Sequence, residues 1–308
     1  MITFGPVPSR RLGRSLGVNN IPYKICTYSC VYCQVGRTLK MEINRRSFYS
    51  PDEIYREVKL RVEKLNECID FITFVPDGEP TLDTNLSKEV ELIKEFKIPI
   101  AIITNSSLMW REDVRADLLE FDLVSLKIDA VSEGIWKKIN RPHKDLRLVK
   151  ILEGILEFGK EFKGKILTET MLIDGIDYGD EFEKIAKFLK ELKPVKSYIA
   201  VPTRPPAERW VKPAKESVIN KAFQIFSEAL NDKIEFLIEF EGTSFAITDE
   251  VERDILSIAS VHPIREEAMR ELLKKAKVGW SVVEKLIKEG KLVRVEYNGR
   301  GFYMRKLS

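Results

Sequence analysis

The sequence predicts an α/β protein: a partial (β/α)6 TIM-type barrel over residues 1–245, followed by a small winged-helix domain over residues 249–308. Three observations carry this. Short apolar runs alternate with charged segments of helical period, which argues a parallel sheet covered by helices. Near residue 248 the pattern changes, and helical segments follow one another without strands between them. The last stretch, 291-KLVRVEYNGRGFYMRKL-307, is two alternating runs around Asn298-Gly299, a strong hairpin signal.

Taken in order, strands are expected at 71-FITFV-75, 98-IPIAIIT-104, 122-DLVSLKI-128, 165-KILTETMLI-173, 197-SYIAV-201 and 234-IEFLIEF-240. Helices are expected at 51–66, 85–96, 111–119, 146–162, 180–192 and 213–230. The first has Ser50 to cap it, Pro51 at its first position, and Asp52 and Glu53 in its first turn. A barrel of such units carries its active site at the C-terminal ends of the strands. Helices at 249–259, 264–276 and 280–289 then lead into the hairpin, and the set reads as a winged helix.

Composition narrows the class. Hydrophobic residues make up 44% of the 308 and charged residues 32%, a normal core under a heavily charged surface. Formal net charge is only +3, so the molecule is not a polycation. No apolar run approaches the ~20 residues of a membrane span. The opening MITFGPVPSRR lacks the apolar core of a secretory signal. These features predict a soluble, cytoplasmic protein with no membrane partner. The positive excess is local: residues 249–308 hold 13 Lys and Arg against 10 Asp and Glu, and residues 277–308 hold 8 against 3.

Three of the four cysteines fall in 26-CTYSCVYC-33. In a reducing compartment such a set reads as a metal site rather than as disulfides. A structural zinc ion would need a fourth ligand. The chain offers only Cys68, His143 and His262, each distant in sequence. A four-iron, four-sulfur (4Fe-4S) cluster on three thiolates would leave one iron open to a ligand with N and O donors. Chance clustering of buried cysteines is the third alternative. Cys68, just before an apolar strand, reads as a small buried hydrophobe.

With Tyr32 before its last cysteine, this loop resembles that of the radical S-adenosylmethionine (SAM) superfamily. The resemblance covers roughly residues 1–245. It implies that Cys26, Cys30 and Cys33 hold a 4Fe-4S cluster and that SAM chelates the open iron through its amino and carboxylate groups. One electron from the cluster would then split the sulfonium and yield a 5′-deoxyadenosyl radical. An electron donor of ferredoxin or flavodoxin type is implied as well.

The strand ends supply the expected SAM contacts. Segment 77-DGEPTL-82 is similar to the superfamily's GEP motif, whose backbone carbonyls receive the methionine ammonium; Asp77, Gly78, Glu79 and Pro80 are the candidates. Gly78 is read as letting the backbone approach the ligand. Taken alone the segment is an ordinary βα turn, but it follows a strand 44 residues after Cys33. On 122-DLVSLKI-128, Ser125 and Lys127 share a face at period two, and Asp129 follows. A lysine inside an apolar strand is costly unless it meets an anion. The resemblance to glycyl-radical activating enzymes offers the methionine carboxylate, with Ser125 for the ribose; the alternative is a partly exposed strand end. Thr104, Asn105 and Ser106 end the preceding strand, and Thr168 and Thr170 are weaker candidates for ribose or substrate.

Arg10, Arg11 and Arg14, upstream of the cluster loop, are expected to bind an anionic group such as a substrate phosphate, to help close the mouth, or to form a solvated turn. Segments 140-NRPH-143 and 202-PTRPP-206 are read as following strands, which makes Arg141 and Arg204 possible substrate contacts. The opening GPVPSRRLG, the cysteine loop and DGEPTL together resemble an archaeal and bacterial group of radical SAM proteins related to the tRNA wyosine-base synthases. Those synthases carry a second cluster on three further cysteines. Only Cys68 lies outside the loop here, so one cluster is expected.

The winged helix bears on the substrate. Lys285, Lys288, Lys291, Arg294, Arg300 and Arg305, interleaved with Trp280, Tyr297 and Tyr303, would hold nucleic acid by its phosphates; docking of a partner protein is the alternative. Three functions are therefore weighed. One is a radical SAM enzyme modifying RNA, above all tRNA. Another is a radical SAM enzyme acting on a protein or small molecule, glycyl-radical activation included. The last is a non-enzymatic iron–sulfur sensor whose winged helix binds DNA.

Overall fold

The computed structural model describes residues 2–65, 68–238, 245, 247, 248 and 250–306. The chain opens with a hairpin, β1 (Thr3–Ser9) and β2 (Gly13–Val18). The cysteine loop follows, with the short strands β3 (Ile25–Cys26) and β4 (Lys40–Met41) paired in parallel. Next comes α1 (Pro51–Lys64), capped as expected: Ser50 Oγ accepts a hydrogen bond from the Glu53 N–H at 3.2 Å. Alternation then proceeds through β5 (Phe71–Phe74), α2 (Leu86–Ile93), β6 (Ile100–Thr104), α3 (Glu112–Leu118) and β7 (Leu123–Lys127). It continues with α4 (Glu133–Asn140), α5 (Leu148–Glu161), β8 (Lys165–Met171), α6 (Glu181–Leu192), β9 (Lys196–Ala200), α7 (Glu216–Leu230) and β10 (Ile234–Leu237).

These strands form one sheet of eight in the order β1-β2-β5-β6-β7-β8-β9-β10. Only β1 runs antiparallel, so the sheet is an open, curled half-barrel with helices outside. The βα units begin one strand earlier than expected, because β2 leads through the cysteine loop into α1. The basic segment 5–17 is thus a hairpin rather than a turn. Its two prolines and three glycines read as breakers, yet β1 is an edge strand, where missing ladder donors are tolerated. Helix α4 was not expected; it separates the 140–143 segment from the strand that segment was read as following. The last expected strand ends at Leu237, and residues 239 and 240 lie outside the described residues, as do 246 and 249 at the expected domain boundary.

Both faces of the central strands are buried, as a parallel sheet requires. One parity packs under the helices: Ile72, Phe74, Ile100, Ile102, Val124, Leu126 and Ile166. The other faces the concave side, where Leu12, Ala101, Leu123, Leu167, Tyr198 and Leu237 form an apolar floor. Period two then fixes which polar residues near the strand ends can reach the concave space.

The C-terminal unit is α8 (Val251–Val261), β11 (Ile264–Arg265), α9 (Glu266–Lys275), α10 (Ser281–Lys288) and the hairpin β12 (Leu292–Tyr297)–β13 (Arg300–Arg305). Its three-stranded sheet runs β11-β13-β12, the arrangement of a winged helix. Its core, built on Ile255, Ile258, Met269, Leu272, Val283 and Leu286, is continuous with Phe4 and Val7 of β1. Arg61 of α1 fastens the two regions, donating to the Gly5 carbonyl and, at 2.6 Å, to Asp254 of α8. No helix among the described residues is long and apolar enough to cross a membrane.

Candidate active site

The cysteine loop sits where β2 ends, over the C-terminal ends of the parallel strands. Cys26, Cys30 and Cys33 are free thiols, each partly buried. Each sulfur meets a side-chain N–H donor: Asn105 Nδ2 lies 3.5 Å from Cys26, Asn140 Nδ2 3.5 Å from Cys30, and Lys24 Nζ 3.4 Å from Cys33. Burial pushes the Cys26 thiol up to about 11 and the Cys30 thiol higher still. Cys68, expected to be buried, is exposed, because it precedes β5 rather than entering it.

The 77–82 turn is bonded directly to this loop. Lys24 N–H donates to the Asp77 carbonyl at 3.2 Å, and Glu79 N–H donates to the Ile25 carbonyl at 3.1 Å. A Cβ on Gly78 would stand 1.9 Å from that same carbonyl oxygen. The close approach that demands glycine is therefore to the chain's own backbone, which corrects the expectation of room for a ligand. Glu79 is buried and welds two strand ends together. Its carboxylate accepts from Thr81 Oγ1 at 2.6 Å, Thr104 Oγ1 at 2.6 Å and Asn105 N–H at 2.8 Å. Pro80 is buried in the turn. Asp77 is also buried, which raises its carboxyl to about 6; Asn19 donates to Oδ2, and Oδ1 has no hydrogen-bond partner.

Beside the loop lies a cleft of about 340 Å³, bordered by Tyr32, Cys33, Thr104, Ser125, Lys127 and Glu169. Ser125 and Lys127 face it together, as period two requires. Lys127 does not wait for an external anion. Its Nζ lies 2.5 Å from Glu169 Oε1 and 3.4 Å from Asp129 Oδ1, and 5.0 Å from the centre of the Tyr32 ring. Arg11 approaches Glu169 from the other side, at 2.5 Å, and reaches Ser125 Oγ at 3.4 Å. Burial opposes ionisation of Glu169, but Lys127 and Arg11, with Arg204, hold its carboxyl down at about 2. Burial likewise works against the Lys127 charge, and Asp129 and Glu169 overcome it and raise its pKa.

Asp129 joins this group to the cysteine loop. It accepts hydrogen bonds from the Tyr32 hydroxyl and, at 2.6 Å, from Asn140, the residue that also meets Cys30. Asn105 bonds Thr27 at 2.8 Å within the loop and does not border the cleft. Thr168 is corrected. With Glu169 facing inward, Thr168 faces the helices, where its hydroxyl donates to Ser197 at 2.7 Å; Thr170 faces the same way and donates to the Ile128 carbonyl at 2.8 Å. Arg204 borders the cleft, whereas Arg141 is paired with Glu208 at 2.5 Å. Glu169 was missed in the sequence because it stands between two threonines that read as the polar contacts; its parity with Leu167 and Met171 was the available signal. Lys24 and Asn140 had no such signal, since only the fold brings them to the thiols.

The donor set fits a cluster. Among the described residues no three His, Cys, Asp or Glu side chains gather as ligands of a single metal ion. A 4Fe-4S cluster does not ask for that, since each of the three thiolates would bind a different iron. N–H groups beside the sulfurs suit thiolates bound to iron, whose charge they offset.

On the winged-helix unit, Lys285 pairs with Glu252 at 2.7 Å, Lys291 with Glu289 at 2.7 Å and Arg294 with Glu266 at 3.4 Å. Half of the cations expected to face nucleic acid thus have carboxylate neighbours. Tyr303 is buried against Trp280 and is core, not a stacking platform. The Tyr297 hydroxyl donates to the Pro202 carbonyl at 3.3 Å, which sets the wing against the loop after β9.

Comparison with known proteins identifies the family. Residues 20–189 match the Radical SAM superfamily. The chain is 57% identical over 99% of its length to a UPF0026 protein of Methanocaldococcus jannaschii, covering 96% of that protein. It is 35% identical over 92% of its length to the GTPase Obg of Brachyspira hyodysenteriae, of which it spans 44%. The structure of Streptococcus suis SuiB bound to S-adenosylmethionine superposes on 71% of this chain with a TM-score of 0.53 at 14% identity; the match spans 49% of SuiB, about half its length. The chain belongs to the radical SAM superfamily and, within it, to the UPF0026 family.

Proposed function

We propose that this radical SAM enzyme holds its 4Fe-4S cluster on Cys26, Cys30 and Cys33 and modifies RNA, with the reacting base or sugar inserted into the cleft beside Cys33. Family membership removes the non-enzymatic sensor from the alternatives. When bound, the cluster and SAM supply a 5′-deoxyadenosyl radical. The chain's own residues do the rest. Asn105, Asn140 and Lys24 offset thiolate charge at the three sulfurs. The Asp77–Pro80 turn, locked to Ile25 by Gly78 and Glu79, offers backbone carbonyls to the methionine ammonium. Ser125, Lys127 and Thr104 border the space left for the rest of SAM, and the apolar floor keeps water from it.

The observation that carries the RNA reading is the Tyr297–Pro202 bond, which sets the wing at the rim of the cleft. A cleft of about 340 Å³ is at the small end of ligand sites and is nearly filled by one molecule of drug size. A substrate that adds only a small projecting part to the SAM-filled space suits a large molecule held outside it. Lys288 and Arg300 are exposed on the same unit and would take phosphates. The resemblance of the opening and the cysteine loop to relatives of tRNA wyosine-base synthases supports the same reading.

A protein substrate, glycyl-radical enzymes included, is favoured by one observation: three of the six cations expected to face nucleic acid are paired with carboxylates. The test is anaerobic reconstitution and reduction with SAM, with and without bulk tRNA. RNA as substrate requires that tRNA raise the yield of 5′-deoxyadenosine and that binding weaken steeply with salt. A yield and affinity indifferent to tRNA would give the substrate to the second class.

A further inference from the structure

The cysteine loop has two faces, and the cleft takes only one of them. Tyr32, Cys33, Gln34 and Val35 border the cleft, whereas Ser29 borders a second hollow, of about 630 Å³, that shares no lining residue with it. Two segments frame this outer hollow, and both are bonded to the loop. On one side, Ser29 N–H donates to the Asn140 carbonyl at 3.1 Å and His143 N–H to the Thr27 carbonyl at 2.9 Å. On the other, β4 pairs with Ile25 and Cys26, and Thr38 Oγ1 donates to the Tyr28 carbonyl at 2.6 Å. A molecule seated in the hollow rests against the backbone that carries Cys26 and Cys30.

The surface around the hollow presents positive charge. Glu208, 9% exposed, meets Arg37 at 2.9 Å and Arg141 at 2.5 Å, whose side chains are 69% and 43% exposed. Glu42 is also turned inward and lies 3.1 Å from Lys40 and 3.4 Å from Arg46, both well exposed. Each inner carboxylate thus holds two outer cations in place and cancels only one. Lys137, Lys144 and Arg147 complete the set, with Glu133 bonded to Lys137 at 2.6 Å and Asp145 3.6 Å from His143. Seven cations therefore stand against four carboxylates. Two aliphatic side chains lie open to solvent among them: Leu39 is 75% exposed and Met41 36%. Apolar side chains set among charges are the pattern of a protein interface, an apolar centre within a polar rim.

The chemistry proposed above needs an electron from outside the chain. SAM and the substrate fill the cleft, so the electron has to reach the loop from its other face. We infer that the outer hollow is the docking surface of the electron donor, a small acidic protein with a one-electron centre. Arg37, Lys137, Arg141 and Lys144 steer it, and Leu39 and Met41 make the apolar contact beside Ser29. This rests on the three thiolates holding a cluster, and it does not depend on the substrate being RNA. Nucleic acid is the poorer match, because phosphates use the cations and leave Leu39 and Met41 uncovered.

The test uses the anaerobically reconstituted protein without SAM, so that the electron stays on the cluster, and an acidic flavodoxin in its hydroquinone form. One electron leaves the flavin hydroquinone anion, which becomes the neutral semiquinone with its protons unchanged, and the oxidised cluster gains that electron. Stopped-flow absorbance follows the semiquinone. Lys137→Glu combined with Lys144→Glu should slow the second-order rate about tenfold at low ionic strength, and the gap should close as salt is raised. Leu39→Ser should slow it at every salt concentration. Lys187→Glu with Lys190→Glu, which makes the same charge change on the exposed side of α6, should leave the rate near wild type. Photoreduced deazaflavin, a small neutral reductant, should reduce all of them alike. Equal rates in the Lys137/Lys144 and α6 variants, equal slowing with deazaflavin, or a wild type that deazaflavin reduces and flavodoxin does not would overturn the assignment. A Lys137/Lys144 variant that loses tRNA binding and keeps its flavodoxin rate would overturn it too, and would give the face to RNA. A preparation without iron–sulfur absorbance would overturn the cluster itself, before any donor is added, so the two failures are separable.

Discussion

Two Lys–Glu pairs of nearly equal length sit in different regions of this molecule. Lys127–Glu169, at 2.5 Å, lies in the half-barrel with the side chains 14% and 13% exposed. Lys285–Glu252, at 2.7 Å, lies on the winged-helix unit with the side chains 54% and 40% exposed. The distances say the pairs are alike, and the surroundings say they are not. In the cleft each charge has been taken from water and depends on its partners, so removing one strands the others. On the winged-helix unit, water replaces a lost partner at almost no cost. Charge in the cleft is architecture for a site; charge on the winged-helix unit is a surface available to a second molecule.

The contrast can be broken by mutation. The largest effect falls on the loop itself: Cys30→Ala should abolish 5′-deoxyadenosine formation and lower the iron content of anaerobically reconstituted protein, measured side by side. Next is Lys127→Met, which leaves Glu169 and Asp129 buried without their shared cation. It should destabilise the fold by about 3 kcal/mol in denaturant titrations. Lys285→Ala, its counterpart on the winged-helix unit, should leave the unfolding midpoint where it was. Equal losses from the two lysines would show that burial does not separate the regions.

A smaller effect comes from behind the 77–82 turn. Glu89 of α2 is fully buried, and neither of its carboxyl oxygens has a hydrogen-bond partner if ionised. Burial and the neighbouring Asp83 raise its pKa far above the ordinary 4.5, so Glu89 is the protonated member of the pair. A group bound to its proton in the folded state and ionised in the unfolded state stabilises most at low pH. That contribution should therefore shrink as pH rises above 4.5. Glu89→Gln, which mimics the neutral acid, should flatten this part of the stability–pH curve. An unchanged slope would mean that Glu89 is not the group responsible.

Much of this was legible in the residues. The period of the apolar runs locates β5 to β10, Ser50 and Pro51 start α1 where expected, and Asn298-Gly299 turns the final hairpin. The spacing of three cysteines and the parity of Ser125 and Lys127 also translate directly into geometry. What was not legible depends on pairings far apart in the chain. The β1–β2 hairpin hides behind Gly5, Pro6 and Pro8, because edge strands tolerate residues that local rules treat as breakers. Thr168 looked like the polar contact on β8, but the neighbour with the inward parity is Glu169. No local pattern foretells that Asn105, Asn140 and Lys24 meet the sulfurs, since those meetings exist only once the sheet has formed. Gly78 was flagged for the right property and the wrong neighbour: it makes room for Ile25.

The central claim is that three thiols of one loop hold a cluster with one iron left for SAM. Electron–nuclear double resonance on the reduced protein, with SAM isotopically labelled at the methionine amino nitrogen, tests it most directly. The account predicts a hyperfine coupling between that nitrogen and the cluster, lost in Cys30→Ala. A reduced cluster whose spectrum is indifferent to labelled SAM, or a loop that takes up zinc in place of iron under the same conditions, would contradict it.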